Sequence, residues 1–375
     1  MNRVGSKIKK ILIVGGGLTA AAAAAELSTL DDIEIRVHEG EYEVGGNLKT
    51  GLINGVLYEL QGAHISHTEN KQAISFLKRF ANWEPYRHIV KTMVPPGLMT
   101  WPPQISELTL TKEWPTIKKE LSELPNKPNE SNFETYALSI MGKTLYEWFI
   151  YPYTFKQWGQ DPKNISSSFA PKRIDLRQDD YLPLFRESWQ GWPIGGWGEL
   201  VKNVFASRSN ISIVCKKYET EQTVDWGHWD AVLVTAPLDD FLGIEQFEWR
   251  GVEFEHEYFP AVSDVLLPAG VVNYPGLEFP YTRIIETKWM SGQRSKVQGT
   301  VLSREFPGSK SKHYPVEDPN GVNRKKAQDA IFLLQKLHPN SFVAGRLANF
   351  VYIDTDQAIM QGINVAKKIS KFVSN

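Results

Sequence analysis

The 375-residue sequence predicts an α/β protein with a parallel sheet, a helical insertion and a second region rich in strands. Three observations support this fold class. Residues 11–39 follow the strand–turn–helix–strand order that begins a βαβ unit. Residues from about 108 to 149 carry apolar side chains at helical spacing. Residues 252–302 alternate apolar and polar side chains and are rich in β-branched residues, which is typical of strands.

The βαβ unit is made of short, well-marked segments. Residues 11–14 form a continuous apolar run, which predicts a buried strand. The triplet Gly15-Gly16-Gly17 follows as a turn, and the alanine-rich residues 18–30 predict a helix. A second apolar run, residues 33–38, predicts another strand and ends at the acidic residue Glu39.

The composition is that of an ordinary globular enzyme. Hydrophobic residues make up 42% and the formal net charge is -1, so no nucleic-acid partner is expected and local basic groups must capture any anionic ligand. Cys215 is the only cysteine, which excludes an internal disulfide and a cysteine-based metal cluster, and no metal site is predicted. No apolar run approaches the roughly 20 residues of a membrane span, so we expect no membrane insertion and a cytoplasmic location.

The pattern Gly15-x-Gly17-x-x-Ala20 is a dinucleotide-binding fingerprint with alanine in its third place. The first glycine permits a tight turn, and the second lets backbone N–H groups approach a pyrophosphate. The third position needs a small residue for close packing of helix and strand. The pyrophosphate would lie at the N-terminus of the predicted helix, where free N–H groups and the helix dipole favour an anion.

Two later features complete the fingerprint. Glu39 stands where an acidic side chain would bond the adenosine ribose hydroxyls. The sequence Gly45-Gly46-Asn47 follows shortly afterwards, and many FAD-binding Rossmann proteins carry such a glycine pair there. This pair favours FAD over NAD, with a simple turn as the alternative interpretation.

A series of short segments farther along the chain forms a more specific pattern. They are, in chain order, Gly62-Ala63-His64-Ile65-Ser66-His67-Thr68, Tyr153-Thr154-Phe155-Lys156-Gln157-Trp158-Gly159, Lys172-Arg173-Ile174-Asp175-Leu176-Arg177, Gln190-Gly191-Trp192-Pro193, Tyr281-Thr282-Arg283-Ile284-Ile285-Glu286, Tyr314-Pro315-Val316, Gly345-Arg346-Leu347 and Tyr352-Ile353-Asp354. In this order and at this spacing, the sequence resembles the UDP-galactopyranose mutase family along nearly the whole chain. The resemblance implies an FAD-binding Rossmann-type domain with a helical insertion and a mostly antiparallel β-sheet domain.

The chemistry that the resemblance implies is that of an isomerase acting on a nucleotide sugar. N5 of reduced FAD attacks the anomeric carbon and expels the nucleoside diphosphate, and the opened sugar recloses through its 4-hydroxyl as a furanose. FAD is thus the implied cofactor, active in its reduced form, and the default substrate is UDP-galactopyranose. The alternatives are the same chemistry on UDP-N-acetylgalactosamine or on a dTDP-deoxyhexose.

The arginines are interpreted as ligands of the diphosphate that leaves the sugar. Its developing negative charge calls for fixed cations, and a guanidinium suits a phosphate better than a lysine does. The resemblance places Arg173 on a mobile loop, Arg283 at a second phosphate-facing position, and Arg250 near the flavin and the sugar. His64, expected beside the flavin, completes the predicted catalytic set of Arg173, Arg283 and His64. An ordinary salt bridge is the expected role of Arg177.

The other residues that the resemblance assigns to the substrate are mostly aromatic. Phe149 and Tyr153, four residues apart on a predicted helix, would hold the uracil ring between them, and Trp158 would wall the sugar pocket. Packing in a core is the alternative role for these rings. The predicted substrate-binding residues are Phe149, Tyr153, Thr154, Trp158, Arg173, Tyr181, Arg250, Asn273, Arg283, Tyr314 and Tyr352.

The predicted cofactor-binding residues lie in the fingerprint, the glycine pair and the segments that carry the resemblance. Asp354, at the start of the last predicted helix, would contact the flavin through that helix N-terminus or simply cap the helix. The predicted set is Gly15, Gly17, Leu18, Thr19, Glu39, Gly46, Asn47, His64, Arg346, Tyr352, Asp354 and Thr355.

Some positions depart from the family pattern. Leu184 stands where the family has a diphosphate-binding tyrosine, counted from Arg173 without gaps, and Tyr181 is the candidate substitute. Ser66 replaces a usual phenylalanine. These changes leave the sugar and the base open. Leu184 also makes a flavin-binding protein without activity an alternative. An FAD-dependent amine oxidase or desaturase, which shares the fingerprint and the pair Gly45-Gly46, is another, although it gives no reason for the arginines or for the segment from Tyr153 to Trp158.

The predicted division into domains is discontinuous. The Rossmann domain comprises residues 1–75, 190–242 and 335–375. The helical insertion comprises residues 105–170, and the antiparallel sheet domain comprises residues 76–104, 171–189 and 243–334. A nucleotide sugar would bind in the cleft between them, with the Arg173 loop closing over it. The resemblance also favours a homodimer.

Overall fold

The structure, a computed structural model, describes residues 8–172 and 174–374, without the side chains of Phe169, Pro171 and Lys172. Its first part contains the predicted βαβ unit. In chain order the elements are β1 (Lys9–Val14), α1 (Leu18–Leu27), β2 (Ile33–His38), β3 (Thr50–Ile53), β4 (Val56–Glu59), β5 (Ser66–Thr68), α2 (Lys71–Phe80), β6 (Trp83–Pro85), β7 (Val90–Val94) and β8 (Gly97–Trp101).

Helix α1 ends at Leu27, whereas the sequence predicted a helix up to residue 30. The hydroxyl of Ser28 donates to the Ala25 carbonyl, and the hydroxyl of Thr29 donates to the Glu26 carbonyl. Such local bonds compete with the continuation of a helix, and this explains the earlier end.

The next part of the chain is helical. Its elements are α3 (Ile105–Leu108), α4 (Trp114–Ser122), α5 (Phe133–Leu145) and α6 (Tyr151–Trp158), with a π-helical turn, Tyr146–Ile150, between α5 and α6. Helix α6 ends at Gly159, which has a φ of +68° and so accepts the left-handed conformation of a helix C-terminus. The buried side chains of this part form a cluster of their own. The helical insertion is thereby confirmed, whereas its limits stay a prediction.

The last part of the chain adds strands to the two largest sheets, which are described below. Its elements are β9 (Trp189–Pro193), α7 (Trp197–Ala206), β10 (Ile211–Val214), β11 (Ala231–Val234), α8 (Leu238–Leu242), β12 (Trp249–Arg250), β13 (Val252–Phe259), β14 (Val271–Asn273), β15 (Arg283–Ile285), β16 (Thr300–Pro307), β17 (Tyr314–Pro315), α9 (Val322–Leu337), β18 (Ser341–Val343) and α10 (Thr355–Ser374). Within the described residues, no helix is both long and apolar enough to cross a membrane.

Five parallel strands form the Rossmann sheet, in the order β10-β2-β1-β11-β18. Helix α10 packs against α1, whose alanines offer little bulk. The two helices approach so closely that a Cβ added at Gly362 would lie 2.5 Å from the Thr19 carbonyl oxygen. The residues at the N-termini of both helices consequently line one cavity, beyond the carboxyl end of β1.

Six strands form the second sheet, in the order β13-β16-β15-β14-β7-β8. Its neighbouring strands are antiparallel, except for the parallel pair β14 and β7, which confirms the predicted mostly antiparallel sheet. The register places Arg283 of β15 between Asn273 of β14 and Glu305 of β16. An amide, a guanidinium and a carboxylate are therefore held side by side on three rigid strands.

Candidate active site

Two adjoining cavities lie beyond the carboxyl end of the Rossmann sheet. The smaller, the Rossmann cavity, has a volume of about 210 Å³, and its walls include each predicted cofactor-binding residue except Tyr352. The larger, the central cavity, has a volume of about 540 Å³ and includes Tyr352 in its walls. The residues that line both cavities are His64, Arg346, Asp354 and Thr355.

The Rossmann cavity has the shape that a dinucleotide requires. A Cβ added at Gly17 would meet no heavy atom within 4 Å, so this glycine borders open space at the N-terminus of α1. A Cβ added at Gly16 would instead lie 2.7 Å from a methyl group of Val44. Free N–H groups at the ends of α1 and α10 therefore face a space that a pyrophosphate fits.

Glu39 stabilises the glycine turn through hydrogen bonds from the backbone. Its carboxylate accepts hydrogen bonds from the backbone N–H of Gly16 at 2.7 Å and from that of Glu41 at 2.9 Å. Each carboxylate oxygen can accept a further hydrogen bond, such as one from a ribose hydroxyl. Open space at Gly17, helix N-termini and this acid together fit the adenosine diphosphate half of FAD.

One end of the central cavity is aromatic. Phe149 leaves the π-helical turn and is buried, with its ring centroid 5.8 Å from that of Trp101. Tyr153, Thr154 and Trp158 reach the same cavity from α6. The predicted continuous helix is interrupted here by the π-helical turn, yet Phe149 and Tyr153 still line the same cavity.

Arg283 supplies a fixed cation to the wall of the central cavity. Its Nε donates to Oε2 of Glu305 at 2.7 Å, and its guanidinium approaches the same oxygen at 2.6 Å. Burial acts to lower the pKa of Arg283, but the adjacent Glu305 carboxylate outweighs this effect and the pKa is raised. The guanidinium therefore keeps its charge, and Glu305 sets its orientation.

Two tyrosines of the central cavity lie beside Arg346, which lines both cavities. The rings of Tyr314 and Tyr352 are stacked, with centroids 5.8 Å apart. The Arg346 guanidinium lies 4.7 Å from the centre of the Tyr352 ring and donates to the Ile353 carbonyl at 2.6 Å. Burial raises the pKa of Tyr314, so its hydroxyl stays protonated and can donate to an anion.

The structure does not bring all the predicted substrate residues into this cavity. Arg173 lies outside the described residues. Tyr181 is not part of the cavity wall, because its hydroxyl donates to the Phe185 carbonyl at 3.1 Å. Leu184 lines the cavity instead, so an apolar side chain occupies the wall where the resemblance leads us to expect a tyrosine.

Arg250, which the resemblance places near the flavin and the sugar, is not among the residues that line the two cavities. Its Nε donates to the Gln157 carbonyl at 2.6 Å and its Nη2 to the Lys156 carbonyl at 2.9 Å. These carbonyls end α6 and have no partner within the helix, so a cation is favourable there. Arg250 therefore fixes the last turn of the helix that carries Trp158.

Lys156 is a second cation that anchors α6. Nζ of Lys156 donates to the carbonyls of Tyr274, Gly276 and Phe279 at 2.6, 2.8 and 3.1 Å. Burial lowers the pKa of Lys156 to about 8. Lys156 thus joins the helical insertion to the loop between β14 and β15.

We expect Arg250→Ala to lower the free energy of unfolding by about 1.5–3 kcal/mol, because hydrogen bonds from a charged donor are lost. KM for the substrate should rise while the FAD content stays normal, since Trp158 loses its support but the Rossmann cavity is untouched. Thermal unfolding and steady-state kinetics measure both effects. A normal unfolding temperature combined with a large loss of kcat/KM would instead indicate direct contact with the substrate.

Sequence reasoning missed several residues of the central cavity. Gln157 is 7% exposed in its wall, and its Oε1 has no hydrogen-bond partner among the described residues. The ring of Phe185 stacks on His67 with centroids 3.5 Å apart. Glu305 could have been noticed as an acidic residue just after the predicted strands of residues 252–302. Gln157 and His67 are within the quoted segments, but their spacing gives no sign of their role.

Comparison with known proteins agrees with the geometry. A family model described as UDP-galactopyranose mutase matches residues 148–352, and one described as an NAD(P)-binding Rossmann-like domain matches residues 13–80. An Escherichia coli protein, dTDP-fucopyranose mutase, is 30% identical to this chain over 96% of the chain and 98% of that protein. A Klebsiella pneumoniae protein named "Probable UDP-galactopyranose mutase" is 27% identical, over 98% and 96% of the two chains.

A solved structure extends the comparison to the fold. The crystal structure of a reduced UDP-galactopyranose mutase superposes with a TM-score of 0.79, over 98% of this chain and 96% of that chain. The sequence identity is 15%, so this similarity concerns the fold.

Proposed function

Because the chain belongs to the UDP-galactopyranose mutase family, it is a flavin-dependent mutase with FAD as its cofactor, and we propose that it interconverts the pyranose and furanose forms of a nucleotide-linked hexose. The observation that carries this proposal is Arg283, a cation fixed by Glu305 in the wall of a cavity that adjoins the Rossmann cavity. Reduced FAD, when bound, supplies the nucleophile for the anomeric carbon. Arg283 stabilises the negative charge that grows on the leaving diphosphate.

The rest of the central cavity is assigned to the nucleotide and the sugar. Phe149 and Tyr153 take the base, because flat rings offer stacking surfaces. Tyr314 donates its hydroxyl to the diphosphate, and Trp158 walls the sugar. Arg173 stays a proposed phosphate ligand on the strength of the family resemblance.

Two substrates are candidates. UDP-galactopyranose is the first, because the matching family model has that description. A dTDP-linked fucopyranose is the second, because the Escherichia coli relative has that activity in its name. Leu184 is a reason to test the dTDP-linked fucopyranose as well. Its apolar side chain lines the cavity, and fucose has a methyl group where galactose has a hydroxymethyl group.

The test is conversion of nucleotide sugars by purified protein reduced with dithionite under anaerobic conditions. UDP-galactopyranose, dTDP-fucopyranose and UDP-N-acetylgalactosamine are compared by chromatography of pyranose and furanose products. We expect one of them to have a kcat/KM at least about 10-fold above the others, which corresponds to about 1.4 kcal/mol of discrimination. Failure to convert any of the three would contradict the proposed substrates.

The same assay separates a mutase from an oxidase. We expect turnover with reduced flavin and none with oxidised flavin, because only the reduced ring has a nucleophilic N5. Oxygen consumption and peroxide are measured in parallel, and both should be absent. Substrate-dependent peroxide formation, or full activity under strictly oxidising conditions, would contradict a mutase. The homodimer and the cytoplasmic location stay predictions, and light scattering of the purified protein tests the first.

A further inference from the structure

A buried carboxylate holds the imidazole of His64 where the two cavities meet. Glu59 ends β4, and its side chain is 1% exposed. Oε2 accepts the backbone N–H of His64 at 3.0 Å and lies 2.6 Å from Nδ1 of the same residue. Oε1 accepts the indole N–H of Trp192 at 2.6 Å. Both oxygens of the carboxylate are thus occupied, and Glu59 itself lines neither cavity.

These contacts determine where the proton on His64 lies. A backbone N–H and an indole N–H can only donate, so each oxygen of Glu59 already acts as an acceptor. The short contact to Nδ1 is then made by an Nδ1–H donor, so that in the neutral ring the lone pair is on Nε2. Among the described residues, none forms a hydrogen bond with Nε2.

The backbone of His64 is fixed as firmly as its ring. Its carbonyl accepts the indole N–H of Trp197 at 2.7 Å, and its N–H is bound by Glu59. Trp197 and Glu59 thus hold the backbone of His64, and Glu59 also binds its ring through Nδ1. The ring held in this way lines both cavities.

We propose that Glu59 is a positioning residue that holds His64 in the Nδ1-protonated tautomer, so that Nε2 offers a proton acceptor at the junction of the cavities. This inference rests on the proposed function. Ring opening adds a proton to the ring oxygen of the sugar, and closure removes one from the 4-hydroxyl. Nε2 would take up the proton that reduced FAD releases on forming its bond to the sugar, pass it to the ring oxygen, take one from the 4-hydroxyl and return it when that bond breaks, so the number of protons is unchanged. A ring that turned over would present an N–H at the start, where an acceptor is needed.

The chain contains a matched control for this pair. Nε2 of His338 lies 2.6 Å from Oε1 of Glu221, a His–Glu contact of the same length, and neither residue lines the two cavities. Glu221→Gln therefore makes the same chemical change away from the site. Its activity and FAD content should equal those of the parent.

The first measurement is nitrogen NMR of the FAD-bound protein labelled with ¹⁵N-histidine, with His64→Gln used only to assign the signals. We expect a pyrrole-type signal from Nδ1 and a pyridine-type signal from Nε2 of His64 in the parent protein. Glu59→Gln should move both signals, since an amide can donate to Nδ1. An imidazolium pattern, or a proton on Nε2 in the parent, would overturn the proposal.

The second measurement is kinetic. Glu59→Gln and Glu59→Asp should lower kcat about 10- to 100-fold, because a base that is not held in the required tautomer loses part of its contribution to proton transfer, with KM changed less than about 3-fold. Asp should retain more activity than Gln because it keeps the charge. A changed tautomer with unchanged kcat would overturn the role of Glu59. If the parent converts no nucleotide sugar, the proposed function fails, while the NMR result still decides the tautomer.

Discussion

Gly17→Val is expected to give a folded but colourless protein. The open space beside Gly17 is where the pyrophosphate of FAD fits, and a valine side chain would fill it. The substitution meets no protein atom within 4 Å at its Cβ, and the φ of −80° at this position suits an ordinary residue. Overpacking of about 3 kcal/mol would weaken FAD binding about 100-fold, so the flavin should be lost during purification.

Absorbance at the flavin band measures the FAD content of the variant. Thermal unfolding of the cofactor-free proteins shows whether the variant is folded. The parent protein stripped of FAD and the Gly17→Val protein should unfold at similar temperatures. Gly227→Val is the matched control, because its Cβ would also lie in a nearly open place, 3.7 Å from Asp225, outside both cavities. It should stay yellow. Full FAD content in Gly17→Val would contradict the assignment of the cavity.

The parts of the fold that the sequence predicts well are those with local causes. The strand, glycine turn and helix at residues 11–27 follow one another without a gap, and each is written in a few neighbouring residues. The end of α1 at Leu27 was missed because it depends on two hydroxyls, those of Ser28 and Thr29, which sequence rules treat only as mild helix breakers.

The parts that could not be predicted depend on contacts between distant segments. Arg250 is 93 residues from Gln157, and only the folded chain shows that its guanidinium binds the last carbonyls of α6. Glu59 is 133 residues from Trp192, and its role depends on that contact. Spacing along a sequence contains no information on such pairs, so motif comparison assigns Arg250 to the substrate and passes over Glu59.

Arg283→Ala is expected to lower kcat/KM about 30- to 1000-fold. Glu305 holds this guanidinium in the wall of the central cavity, and the guanidinium keeps its charge despite its burial. Loss of a charge-assisted contact to the leaving diphosphate costs about 2–4 kcal/mol in the transition state. FAD content should stay normal, because Arg283 does not line the Rossmann cavity.

The buried partner of Arg283 complicates the single substitution. Glu305 is 1% exposed, and alanine at 283 would leave its carboxylate without this cation, which is destabilising. The double variant Arg283→Ala with Glu305→Gln removes the unpaired charge and should restore much of the unfolding temperature without restoring activity. Arg283→Lys should recover part of kcat/KM, since it keeps the charge but loses the planar fork.

Arg177→Ala is the comparison for Arg283→Ala. It shows whether a loss of activity comes from a missing charge at the cavity or from a disturbed structure. Arg177 is 4% exposed and donates to Asp175 and to the carbonyls of Tyr181 and Leu184, so it organises the loop that ends at the cavity wall. We expect its removal to lower the unfolding temperature more than Arg283→Ala with Glu305→Gln does, and to lower kcat/KM less. Anaerobic assays with the preferred nucleotide sugar and thermal unfolding of each variant give the comparison. If the double variant converts that sugar as fast as the parent, the leaving diphosphate is stabilised elsewhere, and the central role of Arg283 in the proposed function is wrong.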